Sequence, residues 1–103
     1  MEKKDTIIIT RHEGAVAWLK EIKGVTGKVI PHFDEKIEVK NKKVYGTLPV
    51  HLINQIIAEG GEFYLINLPS LAFSQRGEEL TPSEMEEAGA QLLKIKKIEM
   101  EVI

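Results

Sequence analysis

The chain has 103 residues, of which 43% are hydrophobic and 29% are charged, so it is long enough for one compact domain and too short for two. It contains no cysteine, which excludes disulfides, thiolate-bound metals and a thiol nucleophile, and which fits a reducing compartment. Its net charge of −2 lacks the basic excess of a protein that binds DNA through a broad electrostatic surface. We therefore expect a single domain over residues 1–103 that holds any anionic ligand in a local pocket.

The chain begins with a strand pattern that is followed by a helix pattern. Residues 6–10 form a β-branched run, typical of a strand covered on both faces. From Gly14 the apolar residues change to helical spacing, through Trp18 and Ile22, and Gly24 ends this run. This part of the sequence therefore predicts a strand and a helix, with Trp18 in the core.

Two short strands and a second helix are predicted next. The strands fall at residues 28–31 and 43–47, with polar and irregular residues 32–40 between them. Proline is tolerated in the first turn of a helix, so we expect Pro49 to open a helix that ends at residues 60–61, a pair of glycines.

The carboxyl-terminal part predicts a strand, a long loop, a helix and a last strand. The strand falls at residues 62–68 and the loop at 69–80. A capping-box pattern with proline at the first helical position occupies residues 81–84, and apolar residues continue at helical spacing to Leu93. Alternation over residues 98–103 predicts an edge strand.

This order of elements predicts a mostly parallel sheet with helices on both faces, because right-handed crossovers distribute the helices in that way. The first and third strands are the natural central pair. In an open parallel sheet, the ligand crevice forms where neighbouring strands send their helices to opposite faces. We therefore expect the ligand site at the carboxyl ends of these two strands.

The first strand is followed by residues whose side chains suit an anion site. Arg11 can bind a phosphate with two parallel hydrogen bonds, and His12 belongs to the side-chain type that most often serves as general acid or base. Gly14 and Ala15 are small enough to let a ligand approach the start of the helix, where the helix dipole favours an anion. The alternative is that Arg11 and His12 are solvated loop residues and that Gly14 only fits a turn.

The third strand ends in a similar turn at Gly46, Thr47, Leu48 and Pro49. Thr47 offers a hydroxyl and a helix cap, and His51 lies in the first turn of the following helix. The alternative is an ordinary turn from strand to helix, capped by Thr47 and opened by Pro49, with His51 on the surface.

The predicted loop at 69–80 leaves the same end of the sheet. Its Arg76 could close over a ligand, with Gly77 allowing the bend; alternatively, Arg76 pairs with Glu78 or Glu79 on the surface. His32 and Asp34 are two candidate metal ligands, and two do not make a site. We expect neither a metal nor a cofactor. Without an apolar stretch of signal-peptide or membrane-span length, we expect a cytoplasmic protein that does not bind a membrane.

Three blocks of residues carry a family resemblance. They are Thr10-Arg11-His12-x-Gly14-Ala15-x-x-Trp18, Gly46-Thr47-Leu48-Pro49-Val50-x-Leu52 and Arg76-Gly77-x-Glu79-Leu80-Thr81-x-x-Glu84-Met85. In this order they span most of the chain, and together the sequence resembles a small CRISPR-associated ring nuclease family of type III systems.

The resemblance implies a Rossmann-like three-layer sandwich and a homodimer. It further implies binding and cleavage of a cyclic oligoadenylate, typically cyclic tetra-adenylate, which switches off the antiviral signal, and many members need no metal. A two-fold ring suits a two-fold dimer because each subunit offers the same crevice to half of the ligand. Asn67 departs from the acidic residue that we would expect at its position, so we expect no carboxylate role there.

On this interpretation the protein is a metal-independent phosphodiesterase. An adenosine 2′-hydroxyl would attack its own 3′-phosphate and give linear products with 2′,3′-cyclic phosphate ends. The expected catalytic residues are Arg11 and Arg76, which would stabilise negative charge, and His12, which would act as general acid or base. The expected ligand-binding residues are Thr10, Gly14, Ala15, Gly46, Thr47, Leu48, Pro49, His51 and Gly77.

Two further functions stay open at this point. The same crevice would serve a non-catalytic cyclic-nucleotide sensor or sponge that regulates a partner. The chain could also be an interaction module that recognises no nucleotide.

Overall fold

Five strands and three helices alternate along the described part of the chain, which comprises residues 5–34, 36–68 and 80–103 of a computed structural model. The strands are β1 (Thr6–Ile9), β2 (Lys28–Ile30), β3 (Lys43–Gly46), β4 (Glu62–Asn67) and β5 (Gln91–Ile95). The helices are α1 (Glu13–Ile22), α2 (Val50–Ala58) and α3 (Pro82–Glu87).

The strands form one sheet in the order β2-β1-β3-β4-β5. The pairs β1–β2, β1–β3 and β3–β4 are parallel, whereas β5 runs antiparallel to β4. The predicted α/β class with a mostly parallel sheet is confirmed, and so is the neighbouring position of the first and third strands.

The sheet carries a separate hydrophobic core on each face, because successive side chains of a strand point to opposite sides. Ile8 of β1 packs with α1 and α3, while Ile7 and Ile9 pack with α2. The first core includes Ala15, Trp18, Leu19, Tyr45, Ile66 and Met85, and the second includes Val39, Val44, Ile53, Ile56 and Phe63. The helices therefore lie on both faces, as predicted.

Trp18 joins two helices on the first face. Its side chain is fully buried, which confirms the predicted core position. Its indole N–H donates a hydrogen bond of 3.2 Å to Oε2 of Glu86, so the polar edge of the ring is satisfied by α3. This contact links α1 to α3.

The carboxyl-terminal elements differ from the prediction. The helix expected to reach Leu93 ends at Glu87, because Gly89 has a φ of 86° and reverses the chain. The N–H of Gly89 donates to the carbonyl of Glu86 and that of Ala90 to the carbonyl of Met85, which is a Schellman motif.

The residues after this turn form a strand instead of a helix. Leu92 and Leu93 belong to β5 and pair with Ile66 and Leu65 of β4. The edge strand expected at 98–103 is wrong, because β5 already occupies the edge of the sheet next to β4. The spacing of apolar residues suited a helix, but pairing with β4 decided the outcome.

The predicted capping box is confirmed at the start of α3. The hydroxyl of Thr81 accepts a hydrogen bond of 3.1 Å from the N–H of Glu84, and the carboxylate of Glu84 accepts one of 2.9 Å from the N–H of Thr81. Pro82 occupies the first helical position, where its missing N–H costs nothing.

Tyr45 and Tyr64 stack against each other on β3 and β4. Their ring centroids lie 4.6 Å apart with an interplanar angle of 13°, and the hydroxyl of Tyr64 donates a hydrogen bond of 2.8 Å to Glu62. Burial raises the pKa of Tyr45 and, together with the nearby Tyr45 phenol, that of Tyr64. Both groups therefore lose their protons more easily in the unfolded chain than in the folded protein.

Substitution Thr81→Ala should lower the free energy of unfolding by about 1 kcal/mol, because the hydroxyl that accepts the hydrogen bond from the N–H of Glu84 is lost. Urea unfolding followed by circular dichroism measures the change. Ser83→Ala is the matched control, since Ser83 is exposed in the same helical turn and makes no cap. An equal loss in both variants would contradict the capping interpretation.

Unfolding free energy should fall as the pH rises above about 10, the pKa of an unperturbed tyrosine. Above this value the unfolded chain binds fewer protons than the folded protein at the two tyrosines, so stability decreases with pH. Urea unfolding between neutral pH and alkaline pH measures the slope. Tyr64→Phe should show a shallower fall, and an unchanged slope in this variant would exclude the stacked pair as its cause.

Candidate functional site

The sheet has a switch point at the carboxyl ends of β1 and β3. β1 leads into α1 on one face of the sheet, whereas β3 leads into α2 on the other. A doubly wound sheet with the strand order 2-1-3-4-5 binds its ligand between strands one and three for this reason. The carboxyl ends of β1 and β3, where the sequence predicts the ligand site, therefore form the switch point of the sheet.

A cavity of about 760 Å³ opens at this switch point. Small-molecule sites typically have volumes of about 300 to 1,000 Å³, so its size suits a nucleotide-sized group. The described residues that line it are Ile9, Thr10, Arg11, His12, Ala15, Pro31, His32, Phe33, Thr47, Leu48, Pro49, Leu52, Leu65, Ile66, Asn67 and Leu68.

The cavity brings together the two turns that the sequence singled out. Thr10, Arg11, His12 and Ala15 line it from the β1–α1 turn, and residues 47–49 line it from the β3–α2 turn. Both turns lie at the same edge because β1 and β3 are adjacent and parallel. A shared pocket, which the anion-site hypothesis requires, is therefore present.

Other predicted site residues lie elsewhere. Gly14 is buried in the first turn of α1, and His51 is exposed in the first turn of α2; neither is among the described lining residues. Arg76 and Gly77 lie outside the described residues.

Gly46 has a packing function between the central strands. A Cβ atom at this position would lie 2.4 Å from the carbonyl oxygen of Ile9, which is closer than a carbon atom can approach. Gly46 does not line the cavity, and it sets the spacing between β1 and β3 immediately below it. Its contribution to ligand binding is therefore indirect.

The β1–α1 turn is held by local hydrogen bonds. The hydroxyl of Thr10 accepts a hydrogen bond of 3.1 Å from the N–H of His12, and the carbonyl of His12 accepts one of 3.1 Å from the N–H of Ala15. His12 is the N-cap residue of α1, and its side chain makes no cap hydrogen bond. These hydrogen bonds thus fix the backbone conformation at Arg11 and His12.

The predicted capping role of Thr47 is wrong. α2 begins at Val50 with Pro49 at its N-cap, and no side chain caps it. The hydroxyl of Thr47 instead donates a hydrogen bond of 3.0 Å to the carbonyl of Ile66 in β4. Thr47 therefore ties the end of β3 to the end of β4 at the rim of the cavity.

Sequence analysis missed two contributions to the cavity. Residues 31–33 reach it from the end of β2, and residues 65–68 reach it from β4. The N–H of Thr10 donates a hydrogen bond of 3.0 Å to the carbonyl of Ile30, so β2 and β1 remain paired up to the rim. The contribution of residues 31–33 could have been predicted from the position of β2 beside β1, because all parallel strands of such a sheet end at the same edge.

The lining combines basic groups with an apolar wall. Arg11, His12 and His32 are the ionisable side chains among the described lining residues, which include no carboxylate. The aromatic side chain of Phe33, together with Leu48 and other aliphatic residues, forms the apolar part of the lining. This chemistry suits an anion that carries a flat apolar group.

Within residues 5–34, 36–68 and 80–103, no group of three or more His, Cys, Asp and Glu side chains could hold a metal ion. None of the helices in these ranges is both long enough and apolar enough to cross a membrane.

The fold defines a small doubly wound α/β protein with a cavity at its switch point. The family model described as "Putative CRISPR-associated protein (Cas_VVA1548)" matches residues 7–98, and the chain belongs to this family. No curated protein and no solved structure matches it. The CRISPR-associated part of the resemblance is thereby confirmed, whereas the ring-nuclease part stays a prediction.

Substitution Gly46→Ala should destabilise the protein by about 1 to 3 kcal/mol, the usual cost of overpacking, because the added methyl group meets the Ile9 backbone. Urea unfolding measures this loss. Gly24→Asn is the comparison: Gly24 has a φ of 68° and open space around it, and asparagine tolerates this conformation. Equal losses in the two variants would argue against a packing function of Gly46.

Proposed function

We propose that the protein is a ring nuclease, a metal-independent phosphodiesterase that cleaves cyclic oligoadenylate, in particular cyclic tetra-adenylate. Its products would be linear oligoadenylates with 2′,3′-cyclic phosphate ends, and its action would switch off type III CRISPR antiviral signalling. One observation carries the proposal: Arg11, His12 and the starts of α1 and α2 meet in one cavity whose described lining includes no carboxylate. Membership in a CRISPR-associated family also supports this proposal.

Phosphate binding is the first step that the cavity supports. The guanidinium of Arg11 can hold two phosphate oxygens at once, and the positive ends of two helix dipoles lie at the same rim. The N-cap residues of the two helices, His12 and Pro49, make no side-chain cap hydrogen bond of their own. A phosphodiester is therefore the ligand group that matches this rim.

The apolar wall provides a surface for the adenine base. Phe33 and Leu48 are half-buried and contribute aromatic and aliphatic surface to the cavity. Asn67 lies at the end of β4 in the same lining, and an asparagine amide can pair with the N6 and N7 atoms of adenine. These groups support a preference for adenine over a pyrimidine.

The proposed reaction needs no external nucleophile. The 2′-hydroxyl of one adenosine attacks the adjacent phosphorus, the bond between O2′ and phosphorus forms, and the bond between phosphorus and O5′ breaks. Because the nucleophile is tethered beside its target, orientation by the cavity removes much of the entropic barrier. Arg11 stabilises the charge on the phosphorane, and His12 transfers a proton.

The size of the ring supports a homodimer. Cyclic tetra-adenylate has four nucleotides, and a cavity of about 760 Å³ suits a part of it. Two protomers related by a two-fold axis would present identical cavities to opposite halves of the ring. The proposed ligand therefore lies across the two-fold axis of the dimer.

Substitution Arg11→Ala should slow cleavage by about 100- to 1,000-fold, because a preorganised charge-stabilising group is lost. His12→Asn should slow it by about 100- to 10,000-fold, because proton transfer is lost while asparagine remains a good N-cap residue. Single-turnover cleavage of labelled cyclic tetra-adenylate in the presence of EDTA measures both rates.

Lys20→Ala is the control for both variants, since Lys20 is exposed in the last turn of α1 and does not line the cavity. It should cleave at the wild-type rate. A stable, uncleaved complex of the wild-type protein would instead identify a sensor or sponge. Binding of cyclic tetra-adenylate at a hundredfold excess over Kd should stabilise the protein by about 2.7 kcal/mol. If no thermal stabilisation is measured, the protein is an interaction module that recognises no nucleotide.

A further inference from the structure

A second histidine lines the same cavity as the one that the sequence singled out. β2 pairs with β1 in parallel register, with Ile30 opposite Ile9, and the hydrogen bond from Thr10 to Ile30 extends this pairing to the rim. His12 and His32 follow these paired residues within three positions, and both line the cavity. Because neighbouring strands are about 4.8 Å apart, two imidazoles reach the cavity from adjacent strand ends.

The cavity offers few other groups that could move a proton. Arg11 stays protonated in proteins and cannot act as a base. His12 and His32 are the two remaining ionisable side chains of the described lining. The nearest acidic residues along the chain are Glu13 and Asp34, which are exposed and do not belong to the lining.

The proposed reaction requires proton transfer on two sides of the phosphorus. In an in-line displacement the attacking O2′ and the leaving O5′ lie on opposite sides of the phosphorus atom. One oxygen must lose a proton and the other must gain one. A single imidazole fixed in the cavity cannot reach both oxygens at the moment of reaction, so a second proton-transfer group increases the rate.

We infer, on the basis of the proposed function, that His32 is this second group and that His12 and His32 form a general acid–base pair. One imidazole accepts the proton of the 2′-hydroxyl as O2′ bonds to phosphorus. The other, as imidazolium, donates its proton to O5′ as the bond between phosphorus and O5′ breaks. Exchange with water then restores the two starting protonation states.

The first test is the pH dependence of single-turnover cleavage of cyclic tetra-adenylate. The wild-type protein should give a bell-shaped profile, and His32→Asn should lower the maximum by about 100- to 10,000-fold and remove one limb of the bell. Binding of the uncleavable 2′-O-methyl analogue should stay close to the wild-type affinity. A merely structural role would weaken binding or stability without removing a limb.

The second test identifies which imidazole is the acid. In a cyclic tetra-adenylate whose bridging O5′ atoms are replaced by sulfur, the leaving thiolate needs no proton. The variant that lacks the acid, His12→Asn or His32→Asn, should recover a rate close to the wild-type rate with this substrate. The variant that lacks the base should remain slow.

The outcomes separate this inference from the proposed function. Absence of cleavage by the wild-type protein would overturn the proposed function. Wild-type cleavage combined with an unchanged rate and pH profile in His32→Asn would overturn the inference alone, as would failure of both variants to recover with the sulfur-containing substrate. Lys36→Ala is the control within the segment after β2, because Lys36 is exposed and does not line the cavity.

Discussion

Burial of β1 on both faces is the constraint on which the rest of the structure depends. Ile8 packs against α1 and α3, while Ile7 and Ile9 pack against α2, so neither face of this strand can turn to water. β1 is also paired on both edges, with β2 and with β3. Because β1 is enclosed in this way, it fixes the position and the direction in which the residues after it leave the sheet.

The site is a consequence of this enclosure. Four parallel strands end at one edge, so turns that are far apart in the chain become neighbours, and the helices after β1 and β3 leave a crevice by moving to opposite faces. Close packing of Gly46 against Ile9 keeps the two central strand ends together. Thr47 adds a hydrogen bond to β4, which extends the same rigid rim to the next strand.

The side chains that line the cavity are of two kinds, basic and apolar. Basic and imidazole side chains come from the ends of β1 and β2, whereas apolar surface comes from Phe33 after β2, from residues 48 and 52 and from β4. Under the proposed function, the basic groups would bind phosphate and the apolar surface would hold the base. Membership in a CRISPR-associated family gives the proposed nucleotide messenger a biological context.

Local sequence signals determined much of this protein by themselves. The β-branched run of β1, the helical spacing through Trp18 and the capping box at Thr81 each depend on neighbours in the chain, and the structure has all three. The two turns at the switch point followed from the order of elements. Tertiary structure decided the strand identity of Leu92 and Leu93, because pairing with β4 outweighed their helical spacing. It also brought His12 and His32 to one cavity, since residues twenty positions apart meet there only when β2 pairs with β1.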